Sequence, residues 1–189
     1  MAATTAQTTT ATNTTTTVRA KSFATPVGPL TVLANGFGAG ETPAVIAAGF
    51  CAAADLWDRV PNAEAMELTD SDDLGPLDGP ITDYLTGDLT AIDDLPIAQA
   101  GTALQQEVWQ GLRDIPAGQT RTYTQLAGTT SKPNAVRAVG SACGRNLVAP
   151  FVPCHRALRS DGSLGGYYYG LDVKRWLLDH ESDTARLPL

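Results

Sequence analysis

The chain has 189 residues, 43% of them hydrophobic and 17% charged, which is the composition of a globular protein long enough to bury a core. It contains no run of about 18 apolar residues, so we expect no membrane-spanning helix and no membrane partner. The formal net charge of -7 argues against a nucleic-acid partner unless the positive charges are concentrated in one part of the chain.

Residues 1–17 are rich in Ala and Thr and contain no Lys or Arg, so they lack the basic and apolar regions of a secretory signal. We interpret them as a disordered tail. The cysteines Cys51, Cys143 and Cys154 are odd in number and widely spaced, which argues against a disulfide framework. We therefore expect a reducing, cytoplasmic location.

The first half predicts a small α/β domain over residues 18–100. Residues 18–33 contain two short apolar runs around a Pro/Gly turn, which predicts a β-hairpin. The alanine-rich segment 44–54 predicts a third strand that passes into a helix over 51–60.

The rest of the first half predicts a loop, one helix and a connection. Residues 70–79 are acidic and contain Gly and Pro, which predicts a loop. Apolar residues at helical spacing over 81–85 predict a helix that ends at Gly87. Residues 90–100 predict a linker or an edge strand.

The second half, 101–189, predicts a mainly helical domain. Thr102 can cap a helix whose apolar face is followed by a stop at 115–118. A short extended piece over 120–123 precedes two short helices over 124–127 and 134–143.

The two short helices, joined by a turn, match a helix-turn-helix, with a plain helical hairpin as the alternative. A glycine-containing loop then leads to a final helix over 171–181. The fold class expected is α+β: a small N-terminal domain with an antiparallel sheet and helix, then a helical C-terminal domain with a winged-helix-like helix-turn-helix.

The charges are divided unequally between the halves. Residues 1–100 carry three Lys and Arg against thirteen Asp and Glu, a balance of -10. Residues 101–189 carry ten against seven, a balance of +3. Any site for a polyanion is therefore expected in the second half.

Cys154 and His155 are the candidate chemical centre. A thiolate is the reactive form of cysteine, and a histidine oriented by a carboxylate can remove the thiol proton. Adjacent side chains of an extended segment point to opposite faces, so Cys154 and His155 can act together only if the backbone bends. Pro153 makes such a bend plausible. The acid could be Glu181, and Asp161, Asp172 and Asp179 are the other candidates.

Pro153-Cys154-His155-Arg156 resembles the active-site motif of the O6-alkylguanine-DNA alkyltransferases. Other segments are similar to this family in order and spacing, and they cover most of the second half: 106–109, 115–120, Tyr123, 137–140, Asn146, 165–167 and 174–178. The first half is similar only in its hairpin, at 26–30.

The resemblance implies a single, irreversible transfer of the alkyl group from O6-alkylguanine in double-stranded DNA to Cys154. O4-alkylthymine is a second candidate lesion. No cofactor and no metal are expected, and the protein is expected to be a monomer. The family links the cysteine through a water to the histidine and then to a glutamate, which correspond here to Cys154, His155 and Glu181, and its hinge asparagine corresponds to Asn146.

The resemblance also implies that the damaged base is flipped out of the duplex. It assigns Arg137 to fill the vacated stack, Tyr123 to contact the 3′ phosphate and Tyr167 to hydrogen-bond the flipped guanine. We also place Ala157 and Tyr168 in the DNA- and substrate-binding set.

Residues 168–170 depart from the pattern, because the chain has Tyr-Tyr-Gly where many members carry smaller residues. The two extra aromatics predict a narrower cavity and a preference for methyl over larger alkyl groups. Two other functions remain as alternatives: a non-catalytic protein that binds alkylated DNA and signals, and a Cys-His-Glu thiol hydrolase.

Overall fold

The structure is a computed structural model, which describes residues 15–182. Its first half is built on a four-stranded sheet in the order β3-β2-β1-β4. The strands are β1 (Thr16–Phe23), β2 (Leu30–Asn35), β3 (Ala44–Gly49) and β4 (Met66–Asp70). The predicted hairpin and third strand are confirmed, because β1 pairs antiparallel with β2 and β2 with β3.

The sheet is mixed rather than antiparallel, which corrects the predicted fold class in one respect. Strand β4 lies parallel to β1, with Thr16 opposite Met66. Its five residues form an edge strand with only two half-buried apolar positions, too short a pattern to be recognised. β1 also begins inside the segment 1–17 interpreted as a tail, and residues 1–14 lie outside the described part of the chain.

Two helices accompany the sheet. The short α1 (Ala53–Trp57) follows β3 as predicted. The second half of the predicted loop 70–79 is occupied by a helical turn, Gly75–Leu77, and by the first residues of α2 (Asp78–Thr86). Gly87 ends α2 at a φ of 119°, a left-handed conformation that glycine adopts without steric cost.

The second half is mainly helical, as predicted. Its elements are α3 (Ala103–Arg113), β5 (Arg121–Thr122), α4 (Tyr123–Gly128), α5 (Val136–Gly144), β6 (Ala157–Leu158) and α6 (Leu171–Ser182). Thr102 caps α3 in a capping box with Gln105. Helices α4 and α5 form the helix-turn-helix and pack on α3, while β5 and β6 pair in parallel.

One apolar core joins the two halves. The largest buried cluster combines residues of β2 and β3 with residues of α2, α3, α5 and the segment before Cys154. The backbone of Ala48 accepts a hydrogen bond from Ala149 N at 3.1 Å and donates one to Leu147 O at 2.7 Å. The first half therefore packs directly on the segment that carries the cysteine.

The connection over residues 90–100 also lies against the sheet. Val45 N donates to Pro96 O at 2.9 Å, and Ala98 N donates to Val45 O at 2.9 Å. Within residues 15–182, every helix is too short or too polar to cross a membrane.

Candidate active site

A cavity of about 360 Å³ opens beside the thiol of Cys154. Its walls come from α5, the segments that flank Cys154 and the aromatic segment 167–169. The lining residues are Tyr123, Gly140, Cys143, Gly144, Asn146, Ala149, Cys154, Gly166, Tyr167, Tyr168 and Tyr169. Four predicted site residues besides the cysteine, namely Tyr123, Asn146, Tyr167 and Tyr168, therefore meet at one cavity.

The chain turns sharply at Cys154. A single helical turn spans Cys154–Arg156 and starts directly after Pro153, where a bend was predicted. The Cys154 residue is 9% exposed to solvent and lines the cavity, whereas His155 is completely buried. The turn thus sends two adjacent side chains to different environments, one to the cavity and one to the interior.

Asn146 holds this turn against the end of α5. Its Oδ1 atom accepts a hydrogen bond from Val148 N at 3.0 Å, and its Nδ2 atom donates to Val152 O at 2.7 Å. The same Nδ2 atom lies 3.3 Å from the sulfur of Cys154 and can donate to it. A donor at this position favours the thiolate over the thiol.

His155 is paired with Glu181, the first of the acids considered from the sequence. Nε2 of the imidazole lies 2.9 Å from Oε1 of Glu181, and both residues are buried. Nδ1 of His155 is buried with no hydrogen-bond partner among the described residues. A carboxylate at Nε2 keeps the proton on that nitrogen, so Nδ1 is left as the proton acceptor.

The Glu181 carboxylate is held by two further side chains. Arg156 donates from Nε to Oε2 and from Nη2 to Oε1, both at 2.8 Å, and Tyr84 donates to Oε1 at 3.0 Å. Burial alone would raise the pKa of Glu181, but the hydrogen bonds and charges of His155 and Arg156 hold it well below its usual range. The carboxylate is therefore ionised at neutral pH.

The protonation of the thiol and the imidazole is governed by burial. Burial raises the pKa of the Cys154 thiol, and the Asn146 hydrogen bond and the Lys174 charge offset this only in part. Burial lowers the pKa of His155 despite the hydrogen bond to Glu181. Near neutral pH the site therefore holds a neutral thiol and a neutral imidazole.

Tyr167 and Tyr123 bring hydroxyl groups to the cavity. The Tyr167 hydroxyl is buried with no hydrogen-bond partner within the described chain, so it can bind a ligand. Burial raises the pKa of Tyr167 well above its ordinary value and that of Tyr123 to about 12. Both hydroxyls are therefore protonated donors.

Arg137 is exposed on α5 and does not line the cavity. Gly140 and Gly144 do line it, and they follow Arg137 by three and seven residues, so all three share one face of the helix. The arginine thus stands one helical turn from the cavity. Without side chains, the two glycines leave this face open to close approach.

The remaining predicted residues lie in different environments. Tyr168 is 63% exposed at the cavity rim. Ala157 is completely buried, does not line the cavity, and its carbonyl accepts a hydrogen bond from Lys174 at 2.7 Å. The structure therefore does not place Ala157 on the cavity wall, although its strand pairs with β5 directly before Tyr123.

Three buried polar residues of the site were not identified from the sequence: Arg156, Tyr84 and Lys174. In the sequence, Tyr84 was interpreted only as part of the apolar face of a helix. Its hydroxyl reaches Glu181 because α2 and α6 lie against each other. Lys174 forms no ion pair with any acid among residues 15–182, and it donates to the carbonyls of Ala157 and Leu164. For Arg156, its position directly after the histidine was the one signal in the sequence that could have indicated a role in the site.

Comparison with known proteins agrees with this geometry. Residues 103–183 match the family model described as 6-O-methylguanine DNA methyltransferase, DNA binding domain. A methylated-DNA–protein-cysteine methyltransferase of Salmonella typhimurium is 46% identical over 118 residues, which are 62% of this chain and 69% of that protein. An inducible enzyme of the same name from Bacillus subtilis is 43% identical over 129 residues, 68% of this chain and 72% of that protein.

Solved structures extend the similarity over both halves. The O6-methylguanine methyltransferase of Mycobacterium tuberculosis is 31% identical, with a TM-score of 0.68 over 92% of this chain and 95% of that one. A structure of the same enzyme in complex with DNA gives a TM-score of 0.69 at 32% identity, over 88% of this chain and 93% of that one. The chain therefore belongs to the methylated-DNA–protein-cysteine methyltransferase family.

Proposed function

We propose that this protein repairs DNA by moving the alkyl group of O6-alkylguanine directly to the sulfur of Cys154. The observation that carries the proposal is the thiol at the cavity wall, 3.3 Å from Asn146 Nδ2, followed in the chain by the buried His155–Glu181 pair. An alkyl carbon is an electrophile that suits a thiolate, and the cavity supplies a place for a flipped base.

The proposed step is balanced by a proton transfer. The bond between O6 and the alkyl carbon breaks, a bond between that carbon and Sγ forms, and the thiol proton passes through a water to Nδ1 of His155. Glu181 stabilises the resulting imidazolium. The Tyr167 hydroxyl donates toward the guanine as it leaves, which stabilises the negative charge that develops on the base. The thioether is stable, so each molecule acts once.

DNA is proposed to bind across the second half, which carries the charge excess of +3. In this arrangement α5 lies against the minor groove, Arg137 occupies the space that the flipped base vacates, and Tyr123 contacts the 3′ phosphate. Tyr168 contacts the flipped base at the cavity rim. The buried environment of Ala157 favours a supporting role for that residue.

We further propose a cytoplasmic monomer in which residues 18–100 form one unit and 101–189 carry the DNA and alkyl-acceptor functions. A monomer is consistent with a site whose catalytic and cavity-lining residues all come from one chain. No cofactor enters the proposed step. No three metal-ligating side chains converge within residues 15–182.

Mass spectrometry tests the transfer. The protein is incubated with a duplex oligonucleotide that contains O6-methylguanine, and its peptides are analysed. We expect one added methyl group, on Cys154, and no more than one per molecule. Cys154→Ser should transfer none, while Cys51→Ser, whose cysteine lies outside the cavity, should react like the wild type.

The same experiment separates the alternative functions. Tight binding of the modified duplex without any transfer would favour a signalling protein that recognises alkylated DNA. Repeated hydrolysis of ester substrates by the wild type, without methyl transfer, would favour a thiol hydrolase. A methyl group on another residue would overturn the role proposed for Cys154.

A further inference from the structure

An arginine of the first half contacts the aromatic wall of the cavity. Arg59, two residues after the end of α1, places its guanidinium carbon 3.7 Å from the centroid of the Tyr168 ring. Its Nη1 atom donates to the Tyr169 hydroxyl at 3.1 Å. Both tyrosines line the cavity beside Cys154. One side chain therefore contacts both of the aromatics that distinguish this chain from many of its relatives.

Tyr169 is also fixed from the opposite side. Its hydroxyl donates to the carbonyl of Ala48 at 3.3 Å, and burial raises its pKa to about 12, so the hydroxyl remains protonated. A Cβ atom on Gly49 would lie 1.9 Å from this hydroxyl, so the close approach requires glycine at that position. Strand β3 and Arg59 together hold the Tyr169 ring in place.

Tyr168 has fewer restraints. It is 63% exposed, and its ring contacts Tyr169 edge-on with centroids 5.1 Å apart. An exposed aromatic with so little packing changes rotamer readily unless something holds it. The guanidinium on its face is such a restraint. Within residues 15–182, no carboxylate lies within 4.0 Å of the Arg59 guanidinium, so nothing competes for it.

We propose that Arg59 sets the upper size limit of the transferred alkyl group by holding Tyr168 and Tyr169 against the cavity. The inference rests on the proposed function and adds a specificity residue from the half of the chain that carries no reacting group. With Arg59 in place, the aromatic wall is rigid and a methyl group fits beside the purine. Without Arg59, Tyr168 swings outward and the cavity admits a larger group.

The test compares two lesions in the same duplex. Single-turnover rate constants are measured for O6-benzylguanine and O6-methylguanine with the wild type, Arg59→Ala and Tyr168→Ala. Because Arg59→Ala loses the cation–π contact, the ratio of the benzyl rate constant to the methyl rate constant should rise about tenfold in this variant. Tyr168→Ala should raise it similarly. The double variant should exceed neither single variant, because both substitutions remove the same restraint.

Arg175→Ala is the matched control, since Arg175 is an exposed arginine on α6 that pairs with Asp172 and does not line the cavity. Its ratio should equal that of the wild type. Circular dichroism establishes that each variant is folded. If Arg59→Ala does not fold, Arg59→Met keeps the aliphatic stem, removes the charge and should give the same increase.

An unchanged ratio of rate constants in a folded Arg59 variant would overturn the proposed size limit. So would a double variant in which the effects of the Arg59 and Tyr168 substitutions on this ratio simply add. An equal loss of both rates would also overturn it, because it would assign Arg59 to general stability or DNA binding. Failure of the wild type to methylate Cys154 would instead overturn the proposed function. The methyl reaction of the wild type is therefore measured first.

Discussion

Nε2 of His155 lies 2.9 Å from Oε1 of Glu181, while Nδ1 of the same ring has no hydrogen-bond partner within the described chain. The ionised carboxylate keeps a proton on Nε2 and so leaves the lone pair on Nδ1. This polarity supports the proposal that the histidine accepts the thiol proton. In that proposal a glutamate 26 residues from the histidine in sequence fixes which nitrogen of the ring is free.

Glu181→Gln should slow methyl transfer by about 100-fold, within the range attributed to a positioned general base. The amide can donate to Nε2 and so favour the opposite tautomer, in which Nδ1 carries the proton. The single-turnover rate with an O6-methylguanine duplex measures the effect. Asp179→Asn, an exposed position on the same helix, is the control and should leave the rate unchanged. A Glu181→Gln rate equal to that of the wild type would exclude this polarity.

Glu181→Gln should also lower stability, by about 3–5 kcal/mol in the free energy of unfolding, because Arg156 would remain buried without its carboxylate. Denaturant unfolding followed by circular dichroism measures this. Rates must therefore be taken well below the melting temperature of the variant. A loss no larger than that of Asp179→Asn would show that the buried pair contributes little.

Asn146→Asp should shift the pH dependence of the reaction upward. The substitution keeps the acceptor for Val148 N but places a negative charge where Nδ2 now faces the Cys154 sulfur. A like charge disfavours the thiolate, so the rate at neutral pH should fall about tenfold and recover as the pH rises. Reaction with free O6-methylguanine base across a pH series measures this without DNA. A loss that does not depend on pH would indicate a structural effect alone.

Arg137→Ala should slow repair of O6-methylguanine in a duplex by at least about tenfold, because the cost of flipping the base is a few kcal/mol. The reaction with free O6-methylguanine base should not change, since Arg137 is exposed outside the cavity. Arg175→Ala should affect neither reaction. Equal losses with duplex and free base would argue that Arg137 is structural.

Stability should fall in two stages as the pH is lowered. Burial lowers the pKa of His155 below its ordinary value of 6.5, so the imidazole binds a proton more readily in the unfolded chain than in the folded one. The stability that the neutral His155 allows is therefore present above pH 6.5 and is lost as the pH falls below 6.5. The pKa of Glu181 is held below 4.5, so its contribution is present above pH 4.5 and is lost as the pH falls further. Thermal melting between pH 2 and 8 measures both stages.

His155→Gln is the matched variant for this pH series. Glutamine does not titrate, so the loss that begins near pH 6.5 should disappear while the stage below pH 4.5 remains. A wild-type melting temperature that does not change between pH 7 and pH 5 would contradict the buried, neutral state of His155.

Local signals in the sequence were sufficient for most of the secondary structure. Thr102 marked the start of α3, Gly87 marked the end of α2, and the Pro/Gly turn marked the hairpin, because caps and turns depend on neighbouring residues. Strand β4 was missed because an edge strand of five residues has little apolar pattern and is defined by its partner β1. The Cys-His motif came from contiguous residues, and the family resemblance came from short segments in a characteristic order and spacing.

The sequence by itself determined the order of the helices, the cysteine and its neighbouring histidine, while only the tertiary structure decided which distant groups serve them. From the residues alone Glu181 was one of four candidate acids, and the family resemblance then favoured it. The packing of α6 on the turn at Cys154 places its carboxylate 2.9 Å from the imidazole. Tyr84 and Arg59 belong to the half of the chain in which the sequence motifs of the family were recognised only at the hairpin, yet both reach the site. Their roles depend on the shared core of the two halves, and no local pattern encodes a contact between residues 97 or 110 positions apart.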